Sequence, residues 1–166
     1  NETQSLFELI DGVTVIDLSG YDPGIQNLVV AITLDLFYSQ MQSYGHSKIA
    51  GYGNLRQLNK MVLVDEADNF LSKNFSSLKK ILKEGREFGV GTILSTQLLS
   101  HFSTGENEYA NYILTWVVHN VADLNNKDVK YIFNTQSKGE EENMYSKIKS
   151  LNKHYSIVKM GDSDRA

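Results

Sequence analysis

Asp65 and Glu66 stand side by side directly after four apolar residues, Met61-Val62-Leu63-Val64. Paired carboxylates at the end of a buried strand can divide one task. The first organises a divalent cation, usually through water, and the second polarises an attacking water molecule. Open α/β sheets bind ligands outside the carboxyl ends of their parallel strands, which is where these two residues fall. The plainer reading is an acidic turn or helix start, where Asp and Glu also suit the helix dipole. Gln97 follows the short run Thr92-Ile93-Leu94-Ser95-Thr96 and is placed to touch the same water or a phosphate. It is equally an ordinary polar residue leaving a strand. Between these two features, Lys79, Lys83 and Arg86 fall on one stripe at about 100° per residue. Such a stripe is commonly a solvated face. Arg86 stands apart, because a planar guanidinium suits a transferring phosphoryl group better than an ammonium does.

The remaining candidates carry less chemistry. His46, His101, His119 and His154 are dispersed, and no pair has the short helical spacing of a zinc site. Ser19, Ser95 and Ser100 lack the glycine frame of a nucleophile elbow. The nine tyrosines are scattered, which suits core and rim positions more than a base-stacking platform. The absence of cysteine excludes disulfides, thiol catalysis and cysteine-ligated zinc, and fits a reducing cytosol. A formal net charge of -4 argues against coating nucleic acid by bulk charge, while leaving room for a local basic stripe.

The elements that must position these residues alternate between strand and helix. Val13-Thr14-Val15-Ile16-Asp17-Leu18 reads as a buried strand, and Asp22-Pro23-Gly24 opens a helix to about Gln42. That helix is apolar on two faces (Ile25, Leu28, Val29, Ile32, Leu36 and Val30, Leu34, Phe37, Met41), as expected of one sandwiched between layers. Residues 43–58 are glycine-rich and polar, a long connection to the strand at Met61. Ser76 or Ser77 is expected to cap a helix to about Phe88, with Gly85 in its packed face and Gly89 and Gly91 closing it. Further strands are expected at 92–96, 113–118 and 155–160, with helices from Asn125 or Asn126 to Phe133 and from Gly139 to Leu151. The reading is therefore an α/β fold, a mostly parallel sheet flanked by helices. It forms one domain over residues 1–161, with a tail at 162–166. No run reaches the roughly 18 apolar residues of a membrane span, and the polar start without methionine suggests a piece of a longer chain.

Three segments, taken in order, carry a resemblance. They are Val62-Leu63-Val64-Asp65-Glu66-Ala67-Asp68, then Leu82-Lys83-Glu84-Gly85-Arg86-Glu87-Phe88-Gly89-Val90-Gly91, then Leu94-Ser95-Thr96-Gln97. Together they resemble the HerA/FtsK superfamily of DNA-pumping P-loop ATPases. The strand at 13–18 and the helix after it resemble the family's segment before its Walker B strand, so the likeness spans most of residues 10–135. Within the superfamily, Asp65-Glu66-Ala67-Asp68-Asn69-Phe70 and Ile16-Asp17-Leu18-Ser19-Gly20 most resemble the ATPases of DNA phosphorothioation-dependent restriction systems. The resemblance implies the C-terminal part of a RecA-like domain. It implies ATP and Mg²⁺ as cofactors, with Asp65 organising the metal, Glu66 as the catalytic carboxylate, and Asp65 and Glu66 together facing the nucleotide. Gln97 would be the sensor, and Arg86 would reach into a neighbouring subunit's site. Lys79 and Lys83 would face DNA in the pore of a ring of like subunits. Other subunits of a restriction complex would complete the set of partners, in a bacterial cytoplasm and without a membrane.

The sequence departs from the family at one point. No G-x-x-x-x-G-K-[ST] phosphate loop occurs in the 166 residues, and Gly45-His46-Ser47-Lys48 has the wrong spacing. In the family that loop lies upstream, so tight nucleotide binding and turnover are not expected of this chain alone. A non-catalytic interaction module built on the same fold is the competing expectation.

Overall fold

The computed structural model describes residues 5–71, 73, 75–98, 102 and 109–161. The expected tail at 162–166, together with Ser100 and His101, lies outside them. The chain divides into two compact units, Asn1–Val64 with Phe75–Ile93 and Asp65–Asn74 with Leu94–Ala166. Its class is mixed α/β, with a small parallel sheet.

In the first unit, Ser5 and Glu8 cap the short helix α1 (Leu6–Leu9) reciprocally, and Phe7 from it is buried against Phe37 at 4.9 Å between ring centroids. Helix α2 (Pro23–Tyr44) starts as its sequence requires: Asp22 accepts from the Gly24 N–H at 2.7 Å and Pro23 occupies the first turn. Leu34, Phe37 and Met41 are buried, but Ile25, Leu28, Ile32 and Leu36 are about half exposed. Only one of the two expected apolar faces is therefore covered.

The run at 13–18 forms no strand. Val13 is 96% exposed and Val15 84%. Branched side chains favour strands because they fit a pleated, half-buried surface; with no strand paired to it among the described residues, the run stays open to solvent. It ends in a local turn instead, where the Ser19 N–H donates to Asp17 at 2.9 Å and Gln26 Nε2 to the carbonyls of Leu18 and Tyr21.

Strand β1 (Lys60–Val64) pairs with β2 (Val90–Leu94). Burial alternates along β1, and Met61 and Leu63 are exposed, so the continuous apolar run is not covered on both faces. In the second unit, the segment after β1 turns into helix α3 (Asp68–Leu71). Returning to the first unit, helix α4 (Ser76–Glu84) begins without a side-chain cap: Ser77 donates its hydroxyl to Asp35 of α2, and neither serine serves the helix end. Leu78 and Ile81 are buried. A 3-10 turn, Gly85–Phe88, follows, so the helical stripe that linked Lys79 and Lys83 to Arg86 breaks one residue before the arginine. Gly85 is buried where an added Cβ would lie 3.0 Å from the Val90 carbonyl. Gly89 adopts φ +72° and lies against Gln57, closing the turn into β2.

The second unit also holds an antiparallel pair, β3 (Trp116–Val118) and β4 (Ile157–Lys159), with Val117 opposite Val158. Among the described residues, the expected mostly parallel sheet is found as two two-stranded sheets, one of them antiparallel. Both strands are shorter than the apolar runs that suggested them. Helix α5 (Asn126–Phe133) has a reciprocal cap between Asn125 and Asp128, and α6 (Lys138–Lys149) buries Ile148.

Asp128 is buried at 4% exposure, and burial holds its carboxyl above the usual aspartate range, outweighing the Asn125 N–H that pulls it down. A folded pKa above the unfolded one gives stability that is complete below the unfolded value and lost as pH rises through the folded value. Asp128→Asn keeps an acceptor for the Asn125 N–H and removes the charge. Urea midpoints measured from acid to neutral pH should therefore diverge, with the variant gaining on the native chain as pH rises. A constant difference across that range would show that the Asp128 charge plays no part.

Candidate functional site

Asp65 and Glu66 leave the carboxyl end of β1 in a tight turn that continues into α3. Both carboxylates are exposed, and neither forms an ion pair among the described residues. The backbone holds the turn. Ala67, fully buried, donates its N–H to the Ser95 carbonyl at 2.7 Å, and the Glu66 N–H donates to Asp65 Oδ1 at 3.0 Å. Thr96 Oγ1 donates to Asp68 Oδ1 at 3.3 Å and receives the Leu98 N–H at 3.1 Å. Turn and strand exit are thereby joined from both sides, and exposed Gln97 lies in the segment they fix. The sequence reading missed Ser95, Asp68 and Thr96 as the links, although all three stand inside the runs it singled out.

Glu66 has φ +49°, the left-handed region that side chains other than Asn, Asp and Gly avoid. Holding such a residue there costs about 1–2 kcal/mol. Strain of this kind clusters at functional sites, because the surrounding structure must impose it. Replacement by asparagine, which tolerates this conformation, should raise the unfolding free energy by up to about 1 kcal/mol while removing the long carboxylate. Equal or lower stability of Glu66→Asn in chemical denaturation would show that the turn is not strained.

Arg86 belongs to the first unit, in the 3-10 turn after α4; its carbonyl accepts from the Gly89 N–H at 3.2 Å, and its exposed side chain makes no hydrogen bond or ion pair among the described residues. Lys83 is exposed and Lys79 half-buried. The structure thus brings Asp65, Glu66 and Gln97 into one unit and places Arg86, Lys79 and Lys83 in the other.

Among the described residues, no group of three His, Asp or Glu side chains forms a metal centre. Mg²⁺ rarely needs one: it keeps several waters and takes one or two carboxylates together with substrate phosphates. Exposed Asp65 and Glu66 fit that partial role, with Asp65 the residue that would hold the ion. No family model and no curated protein matches this chain.

Proposed function

We propose that this chain is the Walker B half of a HerA/FtsK-type ATPase motor, the C-terminal part of a RecA-like domain. The observation that carries the reading is the strained Asp65-Glu66 turn at the carboxyl end of a parallel strand, bonded through its backbone to the segment holding Gln97. Together with the ordered sequence runs, it supports a site in which Asp65 holds Mg²⁺, Glu66 polarises the attacking water and Gln97 senses the γ-phosphate. ATP would be cradled by a phosphate loop supplied upstream. The motor would move DNA in the manner of the DptH ATPase of phosphorothioation-dependent restriction, as a ring in the bacterial cytoplasm with other restriction subunits as partners.

Arg86 supplies the test of assembly. In the complete protein, Arg86→Ala should lose turnover when assembled with itself. It should recover part of it when mixed with Glu66→Gln subunits, since each lacks what the other retains. Absence of any recovery at every mixing ratio would remove Arg86 from a neighbour's site.

A second reading has an observation of its own. Ile25, Leu28, Ile32 and Leu36 leave an apolar face of α2 open, and Met61 and Leu63 do the same on β1. Contiguous exposed apolar surface marks an interaction site, which favours a non-catalytic module holding partner proteins. Adding the upstream phosphate loop and titrating with ATP and Mg²⁺ separates the readings: the motor half gains nucleotide binding and turnover, and the interaction module gains neither.

A further inference from the structure

Residues 13–18 are tied down at both ends and bare between them. At the start, Asp11 Oδ1 lies 3.8 Å from Nζ of Lys60, the first residue of β1. The same ammonium stands 5.8 Å from the centre of the Phe7 ring on α1. At the far end, Gln26 Nε2 of α2 donates to the Leu18 carbonyl at 3.0 Å. Between these anchors, no backbone N–H or carbonyl of residues 13–17 is bonded among the described residues. Gly12 and Gly20 bracket the run with φ of +77° and +79°, and nothing lies within 4 Å of an added Cβ at either. Left-handed glycines in open space can change their dihedrals at little cost, which is what a hinge requires.

Strand β1 is short of a neighbour in the same way. β2 pairs with one of its edges, and among the described residues no strand pairs with the other. A two-stranded sheet is marginal by itself, and parallel strands are ordinarily covered on both faces. Met61 is nevertheless 49% exposed and Leu63 67%. The run and β1 both start at the Asp11–Lys60 contact and both lead away from it, so they can pair with each other only as parallel strands. Parallel pairing needs a crossover of a dozen or more residues, usually containing a helix. Residues 19–59, with α2 inside them, are such a crossover.

We propose that residues 13–18 are a strap that closes on the free edge of β1 as a third, parallel strand, with the open form as one of two states. Setting Asp11 level with Lys60 places Thr14 level with Leu63. Closure gives the exposed branched side chains a pleated neighbour, and it seals an edge that otherwise accepts a strand from another chain. The inference goes beyond the motor reading and does not rest on it.

The test is amide hydrogen exchange of the 166-residue chain, followed by NMR. Amides in the run should exchange at least about tenfold more slowly than in an unstructured chain. Thr14→Pro combined with Val15→Pro removes whichever of the two N–H groups faces β1. Both positions are exposed, so this variant should lose the protection of the run while the amides of α2 keep theirs. Pyrene attached at Thr14→Cys and Leu63→Cys, in a chain with no other cysteine, should give excimer fluorescence that persists on dilution into unlabelled protein. Unprotected amides in the run, protection that survives the two prolines, or no excimer would overturn the proposal. Protection and excimer that vanish on dilution would overturn it as well, assigning the free edge to a second copy. None of these measurements involves ATP, so the strap and the hydrolytic site stand or fall separately.

Discussion

Glu66→Gln, made in the complete protein, should leave ATP binding unchanged and reduce turnover by about 10²–10⁴-fold, the usual contribution of a positioned general base. Glutamine has the same length and the same difficulty at φ +49°, so the turn keeps its strain and its Ala67–Ser95 bond. Only the proton-accepting charge is removed. The effect should therefore fall on kcat, with little change in nucleotide affinity measured by titration. Steady-state turnover at the native rate would exclude Glu66 as the catalytic carboxylate. Loss of nucleotide binding instead would assign it a structural or metal-holding role.

The largest effect on stability is expected at Gly89. Its φ of +72° already costs a side-chain-bearing residue about 1–2 kcal/mol. A Cβ there would also stand 2.2 Å from the Gln57 carbonyl and 2.9 Å from both Asn59 Nδ2 and Ser47 Cβ. The first of these is backbone and cannot rotate away, so the connection must lift off the turn and give up its hydrogen bonds. Gly89→Ala should lower the unfolding free energy by about 3 kcal/mol or more, among the upper values for single substitutions. Gly53, with nothing within 4 Å of an added Cβ and no positive φ, provides the comparison. Gly53→Ala should stay within about 0.5 kcal/mol of native. Equal denaturation midpoints for the two variants would contradict the close approach at Gly89.

Local signals read well from the sequence where the residues concerned carry their own partners. Asp22 before Pro23, and Asn125 before Asp128, specify helix starts through bonds made within one turn, and both helices begin there. Gly85 and Gly89 were legible from nearby chain as well: Gly85 meets Val90 five residues on, and Gly89 takes the left-handed φ of +72° that closes the turn. Features that depend on distant partners were not legible. The branched run at 13–18 describes a strand only if another strand lies beside it. The serines before α4 look like caps until Asp35 approaches from another helix. At the candidate site, carboxylates after an apolar run were visible as chemistry. The left-handed Glu66 was not, because its conformation is imposed by the Ala67 and Asp68 contacts.

The bond from the Ala67 N–H to the Ser95 carbonyl has a consequence for how this site can drift over generations. It is made by main chain alone, so codon changes at position 95 leave its acceptor in place. At position 67 only proline removes the donor, although the buried site also restricts size. A lineage can therefore exchange many side chains around this turn and still inherit its geometry.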